Sequence, residues 1–224
     1  MSEPRESPST KKEITRNSYR SRDEWLIARR KGIGASEAAA IVGMSPWMTA
    51  TELWELKTGQ RAETDKSSDK FVSQGVRLEP VLRELFKVTH PEYIVDYHAY
   101  DIIFQPEIPW LFATLDGELT SSAKRHGILE IKTATPTGRA GWAKWDGKIP
   151  QNYYLQLIHQ LLATGYDFAV LYAALFSNDG NIFIREYWLE RFDCEEDMAW
   201  LLEREGAFWK SVNTKTMPPL SITF

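Results

Sequence analysis

The alternation of apolar and polar residues changes period along the chain. Residues 23–43, "DEWLIARRKGIGASEAAAIVG", repeat apolar positions at three- and four-residue intervals, which predicts a short helix, a glycine turn at 32–34 and a second helix that Ser36 can cap. "TATELWELKTG" over 49–59 predicts another helix closed by Gly59, and 71–90 a longer one. In that longer helix Pro80 either starts a second helix or kinks a single one. The period then falls to two over 93–104, 110–119 and 127–134, which predicts strands arranged as a meander. Helical spacing returns over 148–165, strands over 168–176 and 182–192 flank the turn "SNDG", and a closing helix runs from about Asp193 to Val212. The polar stretches 60–70 and 135–147 are the predicted loops.

Composition refines this picture in three places. With 224 residues, 43% hydrophobic and 12% aromatic, the chain has the means to bury a sizeable core as one domain over 23–224. Residues 1–22 are charged and polar without an apolar run, so they are expected to be a disordered tail rather than a secretory signal. The apolar run "FAVLYAALF" is too short to span a bilayer as a helix. Together with Cys194 as the lone cysteine, which excludes a disulfide framework, this leads to the expectation of a soluble protein in a reducing cytoplasm. Lys and Arg total 27 against 31 Asp and Glu, a formal charge of −4. Global charge therefore gives no reason to expect an anionic partner, although a local basic groove or a bound cation can still hold one.

The chemistry concentrates in "TLDGELTSSAKRHGILEIKT", residues 114–133. Glu130 and Lys132 stand two apart in an apolar strand and so project from one face. Asp116 lies fourteen residues before Glu130, a spacing that suits strand, turn and strand. If the two strands pair, Asp116 and Glu130 can share one Mg²⁺ or Mn²⁺, since both are hard oxygen donors, and Lys132 can act on a water or a scissile phosphate beside them. A solvated strand face would explain a Glu–Lys pair equally well in isolation; here the charges are embedded among apolar residues. Within 148–165, Asn152, Gln156, His159 and Gln160 form a stripe without a formal charge on an otherwise apolar helix. Gln156 first and Gln160 second are the amides expected to face a catalytic pocket, and His159 is expected to be packed rather than to ligate metal. Glu79, from spacing alone, reads as an exposed helical carboxylate. In the 135–147 loop, Trp142 and Trp145 either stack on an exposed base beside Arg139 and Lys144 or pack on the sheet.

In family order, "EWLIARRKGIGASEAAAIVG", "SQGVRLEPVLRELF", "ATLDGEL", "ILEIKT" and "IPQNYYLQLIHQLLATG" resemble the phage and prophage alkaline exonucleases of the lambda exonuclease, or YqaJ recombinase, type. The resemblance covers about 23–202. It implies an α/β fold with a PD-(D/E)XK restriction-endonuclease-like core, a mixed central sheet flanked by helices. It implies 5′-to-3′ digestion of one strand of linear duplex DNA to leave 3′ overhangs for recombination by strand annealing, in the cytoplasm of a bacterial host. Mg²⁺ is the implied cofactor, with Mn²⁺ as a substitute and a pair of ions per site. Asp116, Glu130 and Glu79 become metal residues, Lys132 the catalytic lysine and Gln156 the helix amide. Arg30, Ser36 and Thr114 become the 5′-phosphate site. Leu115 replaces a proline common in the family, and Thr114 stands where a serine is found in the lambda enzyme. A ring-shaped homotrimer, double-stranded DNA ends and a single-strand annealing protein are the implied partners, with no membrane. Two other functions suit the same core: a DNA endonuclease, and a catalytically silent DNA-end-binding module.

Overall fold

Thr114, Leu115 and Asp116 interrupt what the sequence writes as a single strand over 110–119, and the chain changes sheets there. The structure, a computed structural model, describes residues 13–62 and 70–218. Its strands are β1 (Thr15–Ser18), β2 (Ile33–Gly34), β3 (Ile94–Asp96), β4 (Asp101–Phe104), β5 (Leu111–Ala113), β6 (Gly117–Thr120), β7 (His126–Ala134), β8 (Phe168–Phe176) and β9 (Ile182–Glu190). Its helices are α1 (Arg22–Arg29), α2 (Ala38–Ile41), α3 (Ala50–Lys57), α4 (Lys70–Thr89), α5 (Gly138–Ala143), α6 (Gln151–Thr164) and α7 (Glu195–Thr214). A four-stranded sheet has the order β1-β4-β5-β2 and a five-stranded sheet the order β3-β6-β7-β8-β9. The expected single mixed sheet is therefore two mixed sheets, and the expected meander holds only for β3, β6 and β7. The parallel β7–β8 pair requires a crossover, which carries α5 and α6.

The strand β7 divides the core by its alternation. Leu129 and Ile131 pack with Leu82 and Phe86 of α4 and with Val170 and Tyr172 of β8. Ile128 points the other way, into a cluster with Leu157, Ile158 and Leu161 of α6 and Leu171 of β8. A third cluster joins Ile33, Leu53, Trp54 and Phe208. α4 runs through Pro80 as one helix, and α6 stops at Gly165, whose φ of 69° is the left-handed cap that glycine adopts freely. The glycine turn at 32–34 proves to be a turn entering β2, which pairs in parallel with β5. Gly32 is required there because a Cβ would lie 2.4 Å from the Trp110 carbonyl oxygen.

Several other expectations change. β1 lies inside the stretch expected as a tail: it pairs with β4, and Arg16 donates to Asp101 at 2.8 Å and to Glu118 at 2.7 Å, joining one sheet to the other. Residues 1–12, and most of the polar 60–70 loop, lie outside the described residues. Loop 135–147 contains α5. Trp145 is buried against Tyr153 and Tyr187, and Trp142 meets Phe183 edge-on, so both indoles pack on the protein. Cys194 is buried, and desolvation pushes its thiol up to about 11. Among the described residues no helix is long and apolar enough to cross a membrane.

His159 is fully buried and bridges three elements. Its Nδ1 lies 2.7 Å from Glu205 of α7 and its Nε2 2.9 Å from the Phe112 carbonyl of β5. Two acceptors call for two ring N–H donors, the imidazolium form. Burial alone lowers the His159 pKa, but the Glu205 carboxylate outweighs it and holds the pKa above the ordinary value. The stabilisation is therefore complete below the unfolded pKa of about 6.5 and lost as pH rises through the higher folded value. His159→Gln, which strands a buried carboxylate, is expected to cost about 3 kcal/mol in denaturant unfolding near pH 6. The difference from wild type should shrink as pH is raised above neutrality.

Candidate active site

The register of β6 against β7 ends at Gly117 opposite Leu129. One residue earlier the Asp116 side chain takes over the ladder: its Oδ2 accepts the Ile131 N–H at 2.8 Å. This fixes the carboxylate beside the face of β7 that carries Glu130 and Lys132, the face turned toward α6. Glu130 is only 2% exposed, and a carboxylate buried that far must be bonded on both oxygens. Oε1 accepts from the Lys132 ammonium and, at 2.6 Å, from the Gln156 amide, while Oε2 accepts from the Gln160 amide at 2.5 Å. The uncharged stripe of α6 is thus an inner face. Gln156 and Gln160 clamp Glu130, and Gln156, the amide expected first at a catalytic pocket, also lines the cleft.

Glu79 of α4 reaches the same cleft with its side chain 30% exposed, and pairs with Arg83 at 2.5 Å. Arg83 also donates to the Asp116 main-chain carbonyl, so one guanidinium ties the helix carboxylate to the sheet crossover. The three carboxylates feel one another. Burial, then the charges of Glu130 and Glu79, raise Asp116 well above its usual pKa. Burial also raises Glu79, with Glu130 adding to the shift against the pull of Arg83. Lys132 is pulled down by burial but raised more by Glu130 and Asp116, and stays an ammonium ion.

At the other end of the cleft, Ser36 sits in the 3₁₀ turn Ala35–Glu37. Glu37 closes that turn by accepting the Gly34 N–H at 2.9 Å, and Lys57 pairs with it at 2.8 Å. Ser36 is inside the turn rather than its cap. Arg29 donates to the Thr114 hydroxyl at 3.3 Å and lies over the Trp25 ring, 4.4 Å from its centroid. Trp25, Arg29, Ser36, Glu79, Tyr97, His98, Tyr100, Thr114, Asp116, Glu130, Lys132 and Gln156 all line one cleft of about 270 Å³. Arg30, expected in the phosphate site, is at the exposed C-terminal end of α1 and is absent from that lining; the neighbouring Arg29 is there instead. The spacing of Trp25 and Arg29, four apart on one helix, carried the signal. So did the four-residue step from Glu79 to Arg83. Tyr97, His98 and Tyr100 carried no comparable pattern.

Among the described residues no three His, Cys, Asp or Glu side chains converge as a ready-made metal cage. A hard cation such as Mg²⁺ takes one or two carboxylates and completes its shell with water and substrate oxygens. Asp116 and Glu130 fit that demand: both are oxygen donors, both face the cleft, and their like charges raise the cost of ionising Asp116 until a cation offsets it.

Residues 24–167 match the model of the YqaJ-like viral recombinase domain. The chain is 33% identical over 196 residues to the uncharacterized protein YqaJ of Bacillus subtilis (strain 168), covering 88% of this chain and 58% of that relative. Among solved structures it is similar to an alkaline exonuclease, LHK-Exo, from Laribacter hongkongensis, with a TM-score of 0.63 and 21% identity over 87% of this chain and 94% of that one. A structure of LHK-Exo in complex with dAMP gives 0.62 and 20% over the same shares. A phage-related exonuclease from Haemophilus somnus 129PT gives 0.55 and 11% over 82% of this chain and 96% of that one. These likenesses identify the fold as the PD-(D/E)XK-like fold of alkaline exonucleases. By the family match over well more than half of its length, the chain belongs to the YqaJ-like viral recombinase domain family.

Proposed function

We propose that this chain is a Mg²⁺-dependent nuclease that degrades one strand of linear duplex DNA from its 5′ end, leaving 3′ overhangs for recombination by strand annealing. The observation that carries the reading is the convergence of Asp116, Glu130, Lys132 and Gln156 on one cleft. Asp116 and Glu130 would hold the cation, with Glu79 as the adjoining carboxylate. The bound cation supplies a Lewis acid for charge building on the scissile phosphate, and Mn²⁺ can replace Mg²⁺.

The chain's own residues do the rest. Glu130 is held in one orientation by both glutamines, so its geometry is set before substrate arrives. Lys132 remains protonated and can donate to an attacking water or to a non-bridging phosphate oxygen. Arg29, Ser36 and Thr114 stand at the same cleft and suit a terminal phosphate: a guanidinium and two hydroxyls supply donors for its oxygens. In this reading Arg29 takes the place expected for Arg30. The reading extends to a closed homotrimer around the DNA, to a pair of ions in each site, and to a single-strand annealing protein as partner. Loss of one labelled strand from linear duplex, with closed circular duplex left intact, tests it against an endonuclease; no digestion of either would leave only an end-binding module.

Asp116→Asn, Glu130→Gln and Lys132→Ala are each expected to reduce digestion about a thousandfold with folding preserved by circular dichroism. Gln156→Ala should cost about ten- to a hundredfold, as expected for a residue that orients a metal-site carboxylate.

Thermal unfolding gives a measurement independent of turnover. Mg²⁺ or Ca²⁺ at a hundred times its dissociation constant should add about 2.7 kcal/mol of stability to wild type. Asp116→Asn should show little of that gain.

Arg29→Ala is expected to narrow the rate difference between 5′-phosphorylated and 5′-hydroxyl duplexes about tenfold or more. Arg30→Ala should leave that difference near wild type.

A further inference from the structure

The segment Tyr97–Tyr100 joins β3 of one sheet to β4 of the other, and it brings two tyrosine rings to the cleft. Neither ring is core. Tyr97 is 47% exposed and Tyr100 38%. The guanidinium of Arg83 lies 3.6 Å from the Tyr97 ring centroid, over one face. Arg83 is itself 6% exposed and bonded to Glu79 and to the Asp116 carbonyl. Tyr97 therefore rests on a fixed cation, with much of its ring surface open. A flat, weakly hydrated guanidinium is a good backing for such a ring.

Tyr100 adds an independent observation. Its φ is 63°, the left-handed region that glycine or asparagine enters easily and a bulky aromatic residue rarely does. Its carbonyl accepts the Tyr19 N–H at 3.2 Å, and its ring lies 6.1 Å from that of Trp25. The chain thus keeps a large ring where a small residue would relieve the backbone, and places it at the cleft rather than in a core.

We propose that Tyr97 and Tyr100 form a stacking site for the unpaired nucleobase of the terminal nucleotide whose phosphate enters the cleft. This rests on reading the cleft as a nuclease site. The carboxylates, Lys132 and Arg29 answer to the charged backbone of a nucleic acid; the flat, weakly polar part left to be bound is the base. A base inside a duplex is stacked on both faces and a paired terminal base is tied to its partner strand, so a site that sits beside the phosphate within the cleft suits a base released from the helix end. Stacking on an aromatic ring tolerates every base, since each has a π face, which suits an enzyme that must advance through any sequence. The Arg83 bridge places the ring that would hold the base and the carboxylates that would act on its phosphate on one rigid support.

The test is binding without turnover. In EDTA, the affinity for a duplex with a single frayed 5′-phosphorylated nucleotide is measured by fluorescence anisotropy, with that nucleotide carrying a base or abasic. Wild type is expected to bind the natural end about tenfold more tightly than the abasic one. Tyr97→Leu with Tyr100→Leu should bind both ends alike, and Tyr97→Phe with Tyr100→Phe should restore the difference. Equal binding of both ends by wild type, or an undiminished difference in the double Leu variant, overturns the proposal. The nuclease reading is scored separately, by adding Mg²⁺ to the natural-ended duplex and following its digestion.

Discussion

Everything at the cleft depends on one buried carboxylate. Glu130 is removed from water on a central strand of the five-stranded sheet, an arrangement that is costly unless each oxygen is bonded. That requirement explains why α6 carries glutamines where a surface helix would carry charge, and why Lys132 sits two residues along the same strand. It also fixes the placement of α6, because both amides must reach Glu130 from consecutive turns of one face. A cation arriving at Asp116 would find Glu130 already oriented, with little further entropy to lose.

The second constraint is the change of sheet at Thr114–Asp116. Thr114 lies just past the last residue of β5 and Asp116 just before the first of β6. The crossover thus carries, within three residues, a hydroxyl bonded to Arg29 and a carboxylate bonded to β7. Arg83 closes the same crossover from α4. His159 supports it from beneath through the Phe112 carbonyl in β5. The site is therefore assembled where two sheets meet, with side chains of α1, α4 and α6 reaching toward one break in a strand.

Much of this was legible in the amino-acid sequence. Glu130 and Lys132 stood out because charges two apart within an apolar strand must share a face, and Asp116 because its distance from Glu130 matched a hairpin. Gln156 and Gln160 stood out because they were neutral where charge was expected. The break between β5 and β6 was not legible: the apolar pattern runs on through Leu115, and which sheet a strand joins is decided by partners distant in sequence. Arg30 came from the resemblance, and that Arg29 lines the cleft instead was not legible, because one residue along a helix turns a side chain through about 100° and helix ends are the least determined part of a helix. β1 was missed because "TRNS" has no apolar face; its place comes from main-chain pairing with β4 and from the two carboxylates that hold Arg16.

That first strand has a bearing on how the molecule comes together. Thr15 pairs with Phe104, so β1 cannot dock until the intervening helices and strands exist. Closing so long a loop carries an entropic cost that only late, non-local contacts recover. During synthesis from the N-terminus, β1 would leave the ribosome well before its partner, and until β1 docks, the outer edge of β4 remains open to any other extended chain. Its docking then protects that edge and, through Arg16, ties Asp101 of one sheet to Glu118 of the other. In kinetic terms β1 is a latch: it is made before the strand it pairs with, and the outer edge of β4 closes only when the two meet.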